Sequence, residues 1–336
     1  MSIEQSPVST GIDFDLKGKQ NAFLRVPYSR NTSAWGGLLI PITVINGGKG
    51  PTVLFVGGNH GGEYEGPVAL MKLSRSLQPD QVEGRVILLP ALNLPAVKKG
   101  ERVSPIDGLD MNRSFPGKYN GTVTQIIAHY VHEAILPLCD AVIDLHSGGY
   151  SLDLMPYNSM HYLPDETLTQ RTMAALKAFN APISLVMKEF TGEGLLDYAV
   201  EGMGKIFLCA EIGGRGILSP SNLKIMEDGV QNILKHFHLI KGTPPESNTR
   251  LMEIPESEHY LYAKNDGIFE AFYELGEELD AGEPVGQVHF PEDPARSPEI
   301  IVIKRSGMLV GTRGPGFVER GDCVAVTAKD LSSSIL

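Results

Sequence analysis

Residues 51–77, PTVLFVGGNHGGEYEGPVALMKLSRSL, decide the fold. Thr52–Val56 is an unbroken apolar run of the length and β-branched character of a buried strand. From Glu65 onward Leu70, Leu73 and Leu77 recur at helical spacing. Between them lies a glycine-rich turn that holds a histidine and two glutamates. A buried strand feeding a helix through such a turn is half of a βαβ unit. In open α/β sheets the ligand sits at the carboxyl ends of the strands, where this turn lies.

The same alternation continues outward to about residue 245. GRVILLPAL, DAVIDLH, ISLVM and KIFLCAE read as buried strands, and GTVTQIIAHYVHEAILPLC, ETLTQRTMAALKAFN, GLLDYAVEGMG and SNLKIMEDGVQNILKHF as helices. The expected architecture is α/β, a mixed and mostly parallel sheet covered by helices on both faces. The Pro-rich, polar stretch 241–251 (KGTPPESNTRL) is the expected linker, which divides a catalytic domain, 1–245, from a β-rich domain, 252–336. In the second unit LGEELDAGEPVGQV and GFVERGDCVAVTA resemble each other and the strand-turn units of lipoyl-type barrel-sandwich domains. The intervening HFPEDPARSPEIIVI has no lysine to carry a prosthetic group. A cap or assembly role is therefore expected of this domain, and carrier function is not.

Composition narrows the function. With 336 residues, 42% hydrophobic and 21% charged, the chain has ample material for a core, and its net charge of −11 disfavours nucleic acid and anionic membranes as partners. No segment approaches the roughly 18 consecutive apolar residues of a membrane span. Cys139, Cys209 and Cys323 are far apart and odd in number, which reads as free thiols in a reducing compartment. The expected setting is cytoplasmic, with a small-molecule substrate and a homodimeric assembly.

Two readings compete for the glycine turn. A phosphate cradle lacks its Gly-Lys-Ser/Thr, and two carboxylates would repel an anion. A metal site fits better, because His60 and Glu63 stand three residues apart with only glycines between them. A catalytic zinc usually takes three protein ligands and keeps a position for water. The third ligand is His146, which ends the strand of DAVIDLHSGG at the same sheet edge. Either histidine alone would read as a core or turn residue; the two strand ends together change that reading. Asp144 either orients His146 or belongs to a buried hydrogen-bond network. His129 and His132 share a helix face but follow no glycine turn, and are read as structural.

Taken together, GGNHGGEYEG, DGLDMNRSFPG and DLHSGG resemble the zinc carboxypeptidase-like superfamily and, within it, the succinylglutamate desuccinylase/aspartoacylase family, over residues 56 to 216. The resemblance implies one Zn2+ per chain held by His60, Glu63 and His146. It implies Asn112 and Arg113 on the α-carboxylate of an N-acyl amino acid, and Arg102 on the scissile carbonyl. Glu211, closing the strand KIFLCAE, is implied as the catalytic acid/base, in agreement with an acid at the end of an apolar strand whose pKa is raised by burial. The implied reaction is hydrolysis of a linear amide, with a C-terminal β domain narrowing access.

Aspartoacylase-type members bind an acidic side chain with an arginine shortly before the catalytic glutamate. Here GLLDYAVEGMGKIFLCAE offers Asp197 and Glu201 instead, four apart on one helix face, which matches a cationic side chain; a plain solvated face is the open alternative. The motif wording is most similar to that of members acting on Nα-acetyl-L-2,4-diaminobutyrate in ectoine breakdown. Deacylation of an acidic substrate (succinylglutamate, acetylaspartate) is the enzymatic rival, which a basic residue such as Arg215 at the pocket would favour. A non-catalytic binding or scaffold protein is the rival from another class.

Overall fold

The computed structural model describes residues 6–188 and 192–332. Its first half is laid out by strands β1 (Gly18–Pro27), β2 (Gly37–Asn46), β3 (Thr52–Gly57), β4 (Arg85–Leu89) and β5 (Ala141–His146). They are joined through helices α1 (Glu65–Ser76), α2 (Leu94–Lys99) and α3 (Val123–Tyr130). There follow β6 (Tyr157–His161), α4 (Glu166–Phe179), β7 (Ile183–Met187), α5 (Leu196–Glu201), β8 (Ile206–Glu211), α6 (Pro220–His236) and β9 (Arg250–Ile254).

These strands lie in the order β1-β2-β4-β3-β5-β8-β6-β7-β9 within a 15-stranded sheet. The centre, β4-β3-β5-β8, is parallel, whereas β1 and β2 form an antiparallel hairpin at one side and β6 runs antiparallel to β8. Alternation along β3 explains the two-sided covering. Val53 and Phe55 pack with Ala69, Leu70 and Leu73 of α1 and with residues of α4 and α6. Leu54 and Val56 join Ile127 and Ala128 of α3 and Leu196 and Val200 of α5 on the other face. A leucine buried this way contributes roughly 1.5–3 kcal/mol, so the parallel centre is fixed from both sides.

The sheet does not end where the sequence suggests a linker. Residues 241–249 are irregular, as Pro244 and Pro245 require, but Arg250 already begins β9, which pairs in parallel with β7. On its other edge β9 pairs with β16 (Cys323–Asp330), and β16 pairs with β14 (Gly307–Arg313). Met252 and Ile254 pack on Leu185 from one side and on Met308, Val310 and Val326 from the other. This shared apolar cluster explains why the sheet is continuous. Within the C-terminal region, β10 (Tyr260–Tyr262) pairs with β16. A second sheet of four strands stands apart, formed by β11 (Gly267–Ala271), β12 (Pro284–His289), β13 (Glu299–Val302) and β15 (Phe317–Val318). Its Phe269, Val288, Ile301 and Val318 share one apolar cluster with Leu261 of β10, Leu309 of β14 and Val324 of β16.

Candidate active site and metal centre

β3, β5 and β8 end side by side, and the residues at or just beyond those ends converge. After β3 the chain turns on Gly58 at φ +64, a left-handed conformation favoured by glycine. Gly61 is needed for closeness instead: a Cβ there would lie 1.9 Å from the Ala96 carbonyl oxygen at the turn's floor. This compact turn brings His60 and Glu63 together, and the β5 end brings His146; all three are buried.

His60 Nδ1 lies 2.8 Å from Glu63 Oε1, and His146 Nδ1 2.7 Å from Glu63 Oε2. The opposite ring nitrogens meet carboxylates too, His60 Nε2 at 3.1 Å from Asp110 Oδ1 and His146 Nε2 at 2.7 Å from Asp144 Oδ2. Burial depresses the two imidazoles' pKa values, but Glu63 with Asp110 raises His60 and Asp144 with Glu63 raises His146, and the carboxylates prevail. Burial likewise pushes Glu63 up, and the charges of His60 and His146 reverse this, so it titrates well below the usual carboxylate range.

This donor set fits a zinc ion. One ligand atom from each of His60, Glu63 and His146 lies within 4.8 Å of the others. A carboxylate behind each Nε2 favours the tautomer with its proton there, which leaves the inward Nδ1 lone pair for a cation that would take the place of protons. Asp144 both orients His146 and belongs to a buried network: it accepts from His146 and, at 3.0 Å, from the Asn59 amide.

Glu211 stands opposite His146 in the β5–β8 register. Its Oε2 is sealed from solvent without a hydrogen-bond partner, and burial, with Glu63 adding to it against the opposing histidines, pushes the carboxyl up to about 8. Such a carboxyl can hold and release a proton near neutrality.

Asp110 opens the DMNR motif, where sequence alone assigns it no role. Beyond His60, it is 3.2 Å from Arg102 Nη2 and 2.9 Å from Arg113 Nη1, so it aligns both guanidinium groups. Burial raises its pKa, but His60 and the two arginines hold it well below the usual range. The signal was available, since Asp110 and Arg113 stand three apart in DMNR and His60 needed a carboxylate partner. Asn112 Oδ1 accepts the Leu196 backbone N–H, which ties this loop to α5.

The ligand trio, Arg102, Asn112, Arg113 and Glu211 all line one cavity of about 270 Å³. Asp197 lines it as well. Glu201 is not among the described lining residues: its carboxylate lies 3.2 Å from Nδ1 of His161, which does line the cavity. His161 itself is a lining residue that no sequence motif singles out. Arg215 is outside the lining too, 2.8 Å from Asp153. The His129 ring lies tilted 6.2 Å from that of Tyr119 and His132 pairs with Glu133, both on or just after α3 and neither in the cavity wall.

Comparison with known proteins agrees with this geometry. Residues 49–237 match the succinylglutamate desuccinylase/aspartoacylase catalytic domain. The chain belongs to that family. It is an N-acyl amino acid deacylase, an enzyme acting on linear amides. Over 330 residues, 98% of this chain and 96% of the relative, it is 41% identical to the N-alpha-acetyl-L-2,4-diaminobutyric acid deacetylase of Halomonas elongata. A succinylglutamate desuccinylase/aspartoacylase structure from Rhodobacter sphaeroides superimposes with a TM-score of 0.94 at 42% identity, covering 98% of this chain and all 100% of that one. The product-bound ectoine utilization protein EutE (DoeB) of Ruegeria pomeroyi gives 0.94 at 40% identity, covering 97% and 100%. The expected fold class is that of these structures. Among the described residues no helix is long and apolar enough to cross a membrane.

Proposed function

We propose that this deacylase is zinc-dependent and hydrolyses Nα-acetyl-L-2,4-diaminobutyrate to acetate and L-2,4-diaminobutyrate, as a step in ectoine catabolism. The observation that carries the substrate assignment is Asp197, an acid in the wall of the same cavity as the ligand trio, where an acidic substrate would call for a base. Arg215, the base that would favour such a substrate, is turned to Asp153 outside the cavity. The names of the relatives from Halomonas elongata and Ruegeria pomeroyi support the same reading.

Zinc on His60, Glu63 and His146 supplies Lewis acidity toward water and toward the amide carbonyl. The chain's own residues do the rest. Arg113, held by Asp110, and the Asn112 amide hold the substrate α-carboxylate. Arg102, anchored on the same aspartate, directs its charge at the carbonyl oxygen where negative charge develops. Glu211 takes the proton of the attacking water and hands it to the departing α-nitrogen, so the bond between acetyl carbon and nitrogen breaks to leave a neutral amine. Asp197 faces the side-chain ammonium, with the charge of Glu201 behind it. Residues 1–245 form the catalytic unit in this reading. The region 252–336 acts as a cap, since Ile254, Tyr260, Val310 and Val326 line the cavity. A homodimer in the cytoplasm is the setting we assign to it.

The test is amine release by the zinc-loaded protein from Nα-acetyl-L-2,4-diaminobutyrate beside acetylaspartate, succinylglutamate and the Nγ-acetyl isomer. A clear preference for the first is expected. Preference for an acidic substrate would overturn the substrate assignment and keep the hydrolase chemistry; no turnover of any would overturn both.

A further inference from the structure

A second cavity, of about 280 Å³, meets the first at the metal ligands. Three turns wall it, each following a strand or helix end: Gly62 after β3, Gly100 to Arg102 after α2, and Gly148 to Ser151 after β5. His60, Glu63, Arg102, Gly148 and Ser151 border both cavities, whereas Asn112, Arg113, Asp197 and Glu211 border only the first. His60, Glu63 and Arg102 therefore stand between two spaces, and one of these holds none of the groups assigned to the amino acid half of the substrate.

A secondary amide is planar and trans, so its Cα and its acyl carbon leave the C–N bond in opposite directions. With the α-carboxylate on Asn112 and Arg113 and the carbonyl oxygen at Arg102, the acyl group is directed out of the first cavity. We propose that the second cavity is the acyl subsite and that it accepts uncharged, linear N-acyl groups longer than acetyl. This rests on the deacylase reading above and concerns the other half of the same substrate. An acetyl methyl takes up about the space of one water, roughly 30 Å³, and so fills a small part of the cavity. Gly62, Gly100 and Gly149 bring no side chain into the wall, and a Cβ on Gly62 would meet nothing nearer than the Gly100 carbonyl oxygen, at 3.4 Å. Tyr150 is 69% exposed, so the cavity opens to solvent beside an aromatic ring on which methylenes can lie. Glu63 and Glu101 are in the wall and the Arg102 guanidinium is already 3.2 Å from Asp110, so an acyl group ending in a carboxylate would meet two acids and a cation that is paired.

The experiment measures kcat/KM of the zinc-loaded enzyme for the Nα-acetyl, propionyl, butyryl, hexanoyl and succinyl amides of L-2,4-diaminobutyrate. The same series on L-aspartate lets the dependence on acyl length be read whichever amine is preferred. A pocket shaped for acetyl would reject each added methylene by about 10- to 200-fold. Here butyryl and hexanoyl should stay within about tenfold of acetyl. Calorimetry with Glu211→Gln, whose turnover is slow, should give the hexanoyl compound a Kd no weaker than that of the acetyl compound. Gly62→Val should lower butyryl relative to acetyl at least about fourfold, one methylene's worth of burial, with zinc per chain retained. Tyr150→Ala, at an exposed position, should raise KM for hexanoyl relative to acetyl by about the same factor, and it serves alone if the valine variant loses zinc. A wild-type fall of more than about tenfold from acetyl to butyryl, or variants that treat all lengths alike, would overturn the acyl subsite and leave the amine assignment standing. Succinyl cleaved faster than butyryl would overturn the uncharged class. Preference for the aspartate series would overturn the amine assignment alone, with the acyl subsite judged on its own length dependence, and cleavage of none would overturn both.

Discussion

Glu211→Gln separates the two consequences of burying an ionisable group where chemistry is done. The substitution keeps shape and volume, removes the proton carrier, and ends the carboxyl's titration. Loss of a positioned acid/base typically costs 10²- to 10⁴-fold in rate, so kcat should fall by about that factor with zinc content unchanged. Stability should move the other way. Burial pushes the carboxyl from an ordinary 4.5 up to about 8. The folded protein therefore binds more protons than the unfolded chain between those values, and stability is lost as pH rises through the window. At 1.36 kcal/mol for each pH unit the contribution is on the order of several kcal/mol. Urea unfolding of the chelator-treated wild type at intervals from pH 5 to pH 9 should show this decline. The glutamine variant should show a shallower decline and be the more stable protein above about pH 8. Parallel pH profiles would refute the argument that Glu211 is held in a proton-binding environment, and an active glutamine variant would remove it from catalysis.

Two further perturbations probe how the ligands are held. Gly61→Ala would set a methyl group 1.9 Å from the Ala96 carbonyl oxygen and 2.0 Å from its carbon. The turn must then move, with a destabilisation of about 3 kcal/mol and a weaker zinc site, read by thermal melting and by metal titration; an unchanged melting temperature would show that the loop absorbs the group. Asp110→Asn leaves the ligands in place but removes the charge behind His60 and between the arginines. Zinc affinity should fall about 10- to 100-fold with a rise in KM alongside; undiminished zinc affinity would mean that His60 is oriented without it.

What was legible in the sequence was local. The strand-glycine-helix of residues 51–77 specified a βα unit because hydrophobic period and turn chemistry act over a few residues, and the strand end at His146 was visible for the same reason. Both put their ligands at one sheet edge once the fold was granted. The continuity of the sheet through β9 was not legible. Arg250–Ile254 is held by Leu185 on one side and Val310 and Val326 on the other, partners distant in sequence that no window includes. A proline-rich stretch just before it read as a boundary between units.

His161 was hidden for a related reason. It ends a strand whose partner runs antiparallel, so its share in the cavity depends on a register, Cys209 against Ser159, that the sequence does not state. The acids of α5 were visible as a pair at helical spacing, yet the pair alone did not say whether both face the substrate. With His161 between them they differ: Asp197 is in the wall, and Glu201 sits behind a ring. Asp110 follows the same pattern at the other end of the cavity, behind His60 and between two arginines. In both places a carboxylate lies against a side chain that lines the cavity. Reading only the groups that touch substrate would therefore miss half of what sets their direction and charge.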